Sequence, residues 1–148
     1  MENQNKPISF FRFEDLRIYH KSLSYFNWII DQTKAFTSNE NKMIFDSLTE
    51  AAMGVPVSIA EGSARHKHQF VAFLKDAKSS VRKCVVLSSM AFGAGVFSEQ
   101  QYEQSKETLI EMTKMIGALI VSIQRHTPRD NSEPKTDFNS AKEQGFEY

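Results

Sequence analysis

The chain has a single cysteine, no net charge and no long uninterrupted apolar run. One cysteine, Cys84, excludes an internal disulfide and a cysteine-based zinc site, and fits a reducing cytoplasm as the expected compartment. Eighteen Lys and Arg against eighteen Asp and Glu leave no global excess of either sign, so binding to a polyanion has to rest on local clustering. Met1 to Phe11 holds one lysine and lacks the apolar core of a signal peptide. The longest apolar-rich run, Cys84 to Phe97, is interrupted by Ser88, Ser89, Gly93 and Gly95. It falls short of the ~20 residues a membrane span needs, and no membrane partner is expected. Internal repeats and low-complexity tracts are also missing. The 148 residues, 41% of them hydrophobic, suit one compact domain.

What is present is helical periodicity. Leu16, Tyr19, Leu23, Phe26 and Ile30 recur three and four apart and predict a helix over roughly Asp15 to Phe36. Ile18, Tyr25, Ile29 and Phe36 form a second stripe about a third of a turn away, too much apolar surface for one neighbour. Thr37-Ser38-Asn39-Glu40 has the form of a capping box ahead of Ile44, Leu48, Ala51, Val55 and Ile59. Within that second helix Pro56 lacks the amide that would bond Ala52, which predicts a kink. Gly62 is expected to close the helix in the left-handed conformation. Phe70, Phe73, Ala77, Val81, Cys84, Leu87 and Ala91 predict a third helix that ends at Gly93 and Gly95. Ser98 and Gln101 predict another capping box. Tyr102, Leu109, Met112, Ile116, Leu119 and Ile123 then predict a fourth helix, stopping before Pro128. The expected fold is all-α, an up-and-down four-helix bundle with a kinked second helix. Residues 1–12 read as an N-terminal extension, 13–126 as the bundle and 127–148 as a disordered polar tail in which Phe138, Phe146 and Tyr148 stand out.

Two blocks carry a family likeness. Phe13-Glu14-Asp15-Leu16-Arg17-Ile18-Tyr19-His20-Lys21-Ser22 resembles the opening of the bacterial four-helix-bundle family found within intervening sequences of 23S ribosomal RNA genes. Val55-Pro56-Val57-Ser58-Ile59-Ala60-Glu61-Gly62 is similar to that family's second block, and Phe73-Leu74 with Ala77 and Ser80 to its third. Tyr19 stands where the family usually has Trp, Ser58 where it has Asn, and Lys83 where it has Glu. The resemblance implies a bundle that assembles into a ring-shaped homo-oligomer, commonly a pentamer, with no catalytic residues to carry over. The accessory factor of diversity-generating retroelements is a related pentamer that works with a reverse transcriptase and RNA, which gives a class of role.

Charge is unevenly placed. Arg65, Lys67, Lys75, Lys78, Arg82 and Lys83 crowd one segment with Asp76 as its only acid, a candidate phosphate-binding ridge for RNA or DNA. The plainer reading is a solvated helix face. Glu99, Glu103, Glu107 and Glu111 recur every four residues on the fourth helix as an acidic ridge. With Val86 and Met90, which continue the outward face of helix three, Glu103, Glu107 and Glu111 are candidate oligomer contacts. Glu61 sits at a helix C-terminus, where the macrodipole disfavours a carboxylate, and Arg65, Arg17 or His20 is expected to compensate it. Pro56, Glu61 and Gly62 are therefore read as structural.

No constellation points to an enzyme. His66 and His68 are two residues apart and lack a third ligand, so neither metal nor other cofactor is expected. The Glu-x-x-His pairs of di-iron bundles are missing, as are a phosphate-binding glycine loop and a nucleophile elbow. Arg17 to His20, Arg65 to His68 and Arg125 to His126 all miss the Arg-to-His spacing of HEPN-type ribonucleases. The expectation is a non-enzymatic homo-oligomeric adaptor associated with nucleic acid through helix three. The alternative is a protein-interaction module that recruits a partner enzyme, such as a reverse transcriptase, without touching nucleic acid.

Overall fold

The computed structural model describes residues 9–35 and 39–125. They form four α-helices, α1 (Arg17–Lys34), α2 (Lys42–Ser63), α3 (Lys67–Gly93) and α4 (Glu99–Arg125), with short 3-10 turns at Arg12–Asp15 and Asn39–Asn41 and no strand among the described residues. Each helix packs on its neighbours in sequence and α4 closes back on α1, while the diagonal helices reach each other only through side chains in the core, as Tyr25 of α1 does towards Ser88 of α3. Side-chain pairs set the directions. Gly54 faces Ser80 and Gly62 faces Phe73 across α2 and α3. Ser88 bonds Ser105 across α3 and α4, and Lys21, Tyr25 and Gln32 meet Glu111, Ser105 and Gln101 across α1 and α4. Across α2–α3 and α1–α4, and across α3–α4 where Ser89 also meets Tyr102, one number rises as the other falls, so these neighbours are antiparallel. The all-helical four-helix bundle expected from periodicity is what forms. Thr37, Ser38 and the Glu40 side chain of the expected capping box, and the 127–148 tail with its aromatics, lie outside the described residues.

The head of α1 differs from expectation. Asp15 belongs to the 3-10 turn and Leu16 is extended, at φ −79° and ψ 128°, so the α-helix begins at Arg17. Ser9 Oγ donates to the Asp15 carboxylate at 2.9 Å, which gives that side chain a partner before the helix. The two apolar stripes of α1 also exchange rank. Ile18, Tyr25 and Ile29 are buried with Ser22, whereas Leu16, Tyr19, Leu23, Phe26 and Ile30 are half-buried flanks. Helix periodicity shows that a surface is apolar; the position of the neighbours decides which strip is central.

Gly62 requires a second correction. The only positive φ among the described residues belongs to Gly95, at 73°, and Gly62 lies inside α2. Its missing side chain lets α3 approach: a Cβ there would lie 2.4 Å from the Phe73 Cβ. Gly95 is the glycine that ends a helix. Val96 N–H donates to the Ala91 carbonyl at 2.8 Å and Gly95 N–H to Phe92 at 3.1 Å, a Schellman closure of α3. Val96 and Phe97 turn back into the core, where Phe97 meets Trp28 and Phe45 edge-on.

The Ser98 capping box forms as expected. Ser98 N–H donates to Gln101 Oε1 at 2.8 Å, and Gln101 N–H donates to Ser98 Oγ at 3.1 Å. Ser98→Ala is expected to cost about 1 kcal/mol in urea denaturation, the usual penalty for losing an N-cap hydroxyl.

The core is apolar except for Ser22, whose hydroxyl donates to the Tyr19 carbonyl at 2.6 Å, and one hydroxyl chain, Tyr25 to Ser105 at 2.8 Å and Ser105 to Ser88 at 2.8 Å. Each buried hydroxyl is thereby partnered. Cys84 lies in the same layer, fully buried, and burial pushes its thiol up to about 12 from 9.0. Burial first, and the Cys84 charge second, raises the Tyr25 phenol in the same direction. The native state therefore holds the Cys84 proton longer than the unfolded chain does. Its contribution to stability is intact below pH 9.0 and is lost as pH rises towards about 12. Iodoacetamide at mildly alkaline pH is expected to leave native Cys84 unmodified and to label it in urea, with mass spectrometry as the readout.

By length and composition α2 is apolar enough to cross a bilayer, the one such helix among the described residues. Its Leu48, Ala52, Val55 and Ile59 are buried among the other helices of the bundle.

Candidate nucleic-acid interface

The cationic residues of α3 follow from its buried stripe. Val71, Leu74, Ala77, Val81, Cys84, Ser88 and Ala91 face the core, which turns the opposite side of the helix outward. Lys75, Lys78 and Arg82 stand three and four residues apart there, so they share one strip. Lys75 and Arg82 are exposed, Lys78 is half-buried along its stem, and exposed Lys83 turns towards α2. Lys78 and Arg82 also make contacts within the chain. Asp76 is the only carboxylate on α3. Lys67 opens the helix, and the first turn has no acid to offset the positive end of its dipole. Arg65 precedes it with its guanidinium 5.4 Å from the centre of the Phe73 ring. Lys75, Lys78 and Arg82 thus share one outward strip of α3, whereas Arg65 is held by an aromatic face at the α2–α3 turn.

Beside the strip, a groove of about 920 Å³ runs between the outer sides of α2 and α3. Met53 and Val57 on α2 and Val86 and Leu87 on α3 supply its apolar lining, and Arg82 and Lys83 stand on its α3 side. Met53, Val57 and Val86 are 47%, 49% and 55% exposed. Sequence spacing marks Val86 as outward but gives no sign of the groove. Met53 and Val57 fall off the core stripe of α2, which is the signal available, and only the register of α2 on α3 makes them a wall.

The candidate assembly residues lie on two helices. Val86 and Met90 are both exposed on α3. Glu103, Glu107 and Glu111 are exposed on α4, but Glu111 is already paired: its carboxylate is 2.8 Å from Lys21 Nζ on α1. Lys106 and Lys114 are also exposed on α4, so its charge is mixed rather than uniformly acidic.

The expected partners of Glu61 do not meet it. Arg65 stacks on Phe73, and the His20 ring bonds the Glu14 carbonyl. Neither the Lys21–Glu111 nor the Lys34–Asp31 ion pair involves Glu61, which is exposed, so water solvates it. The His66 and His68 rings stack, 6.2 Å apart and 3° from parallel. No group of three His, Cys, Asp or Glu side chains able to hold a metal occurs among the described residues. Sequence reasoning also passed over Phe10, 93% exposed, which meets Phe11 edge-on at 5.1 Å.

The described residues make a small four-helix bundle with three aligned cations on the outward side of α3. The chain belongs to the 23S rRNA-intervening sequence protein family, whose sequence model matches residues 14–118, from the aromatic turn ahead of α1 into α4. The likeness read from the Phe13 and Val55 blocks is thereby borne out. No curated protein matches the chain.

Proposed function

We propose that this protein is a non-enzymatic, homo-oligomeric adaptor that associates with nucleic acid along α3. The observation that carries the reading is the alignment of Lys75, Lys78 and Arg82 on one outward strip of a helix with a single carboxylate. Cations held in line by a helix can neutralise successive phosphates and release their counterions. Arg65, Lys67 and Lys83 widen the strip at its ends.

Assembly belongs to the same reading. Val86 and Met90 leave apolar surface exposed next to the cations, which a second copy would cover, with Glu103 and Glu107 supplying opposite charge. The family likeness suggests a ring, a pentamer, in which each cationic strip recurs and binding becomes multivalent. The missing Pro56 amide is read as a bend in α2 that shapes the protomer for this ring. The reading places the adaptor in the cytoplasm, with no metal or cofactor.

The test is Lys75→Glu, Lys78→Glu and Arg82→Glu together. RNA and DNA binding by fluorescence anisotropy should be lost while the mass by light scattering stays that of the unaltered protein. Unchanged affinity would sink the reading.

One observation favours the alternative, a module that recruits a protein such as a reverse transcriptase. Phe10, Phe11 and Phe92 are exposed aromatics, 93%, 55% and 43%. Contacts of that kind would tolerate salt, whereas phosphate contacts weaken with it.

A further inference from the structure

We propose that the α2–α3 groove receives an unpaired base of a single-stranded nucleic acid whose phosphates lie along Lys75, Lys78 and Arg82. The inference rests on the nucleic-acid reading and narrows it from nucleic acid in general to strands with free bases.

Three features of the groove match that occupant. Its volume, about 920 Å³, lies within the ~300 to 1,000 Å³ common for clefts that take small organic groups. Met53, Val57 and Leu87 offer aliphatic surface to the flat face of a base, and the Arg82 guanidinium adds a plane that can stack on one. The hydroxyls of Ser47, Ser79 and Ser80 and the Glu50 carboxylate also line the groove, and none has a protein partner among the described residues. They can satisfy the hydrogen-bonding edge of a base, which an apolar side chain would leave unused.

The charges give the groove a direction. Arg82 and Lys83 stand on the α3 wall and Glu50 on the α2 wall. A phosphate is drawn to the first and repelled by the second, so the backbone stays over α3 while the base reaches across towards α2. Glu50 accepts from exocyclic amino groups, which favours the bases that carry one, cytosine, adenine and guanine, over uracil, which has none. A duplex cannot use the groove because its bases are stacked and paired inside the helix. It would touch only the cationic strip. A helix from a second copy fits less well, since three hydroxyls and a carboxylate interrupt the apolar lining.

The experiment compares a mixed-sequence single-stranded RNA with the duplex it forms with its complement, using Met53→Ser with Val57→Ser. Both residues are half-exposed, so the fold should tolerate the change; the circular dichroism melt is the control. The unaltered protein should bind the single strand more tightly than the duplex. The double variant should lose about tenfold on the single strand, the scale of one lost base stack, and nothing on the duplex. Glu50→Gln should narrow the difference between cytosine-rich and uracil-rich strands. Equal binding of single strand and duplex, with the Lys75, Lys78 and Arg82 reversal still abolishing both, would overturn the groove assignment and leave the strip standing. Binding of neither would overturn both. A fall in mass by light scattering with single-strand affinity unaltered would give the groove to a second copy.

Discussion

Gly62→Ala is expected to destabilise the bundle by about 2 kcal/mol, although alanine is the better helix former. Intrinsic propensity alone predicts a gain of about 1 kcal/mol inside a helix. Packing predicts a larger loss. An added methyl would sit 2.4 Å from the Phe73 Cβ and 3.0 Å from both the Phe73 Cγ and the Phe70 Cδ2. The Phe73 Cβ is fixed to the α3 backbone, so no rotamer change relieves that contact and the helices must part. Overpacking of this kind costs typically ~1 to 3 kcal/mol and sometimes more. Gly54→Ala is the internal comparison. There the nearest atom is the Ser80 Oγ at 2.7 Å, which can rotate away, with the Ser80 Cβ at 3.3 Å. Urea denaturation of the two variants should show a clear loss for Gly62→Ala and a smaller effect for Gly54→Ala. A stabilised Gly62→Ala would mean that α2 and α3 do not approach this closely.

The second large effect concerns salt. If Lys75, Lys78 and Arg82 each neutralise one phosphate, log affinity for duplex DNA should fall with log salt at a slope of about 0.9 per contact, or 2.7 from these three alone. A fourfold rise in salt then weakens binding by about 40-fold through this strip. Single strands, at about 0.7 per phosphate, lose about 20-fold over the same interval. Neutralising the three residues to Gln should remove that slope while avoiding the repulsion that Glu would add. A slope unaltered in the Gln variant would place the phosphate contacts elsewhere, with Arg65 and Lys67 the next residues to replace. If the proposed assembly forms, it multiplies the number of strips per particle, so the measured slope should be normalised to the mass found by light scattering.

Short-range features were legible before any coordinates. The cationic strip was visible because Lys75, Lys78 and Arg82 follow helical spacing and need only α3 to be brought together. The Ser98–Gln101 box was visible for the same reason, being complete within four residues. The groove was not, because Met53 and Val57 become a wall only when Gly54 lies over Ser80 and fixes the register of α2 on α3. Glu61 misled in another way: a helix-end carboxylate suggested a partner, but on an exposed corner water is sufficient. The pairing of Glu111 with Lys21 was not legible either, because the two lie on α4 and α1 and only the fold brings them together.

By itself, then, the sequence determined four amphipathic helices, the cap of the fourth, the outward cations of the third and membership of the family. Each of these depends on residues a few positions apart, where helix geometry dictates proximity. Tertiary structure alone decided which stripe of α1 is central, that Gly62 serves close approach rather than chain reversal, and that a groove opens beside the cations. Those outcomes depend on which atoms of other helices arrive at a given surface, and a periodicity within one helix carries no information about them.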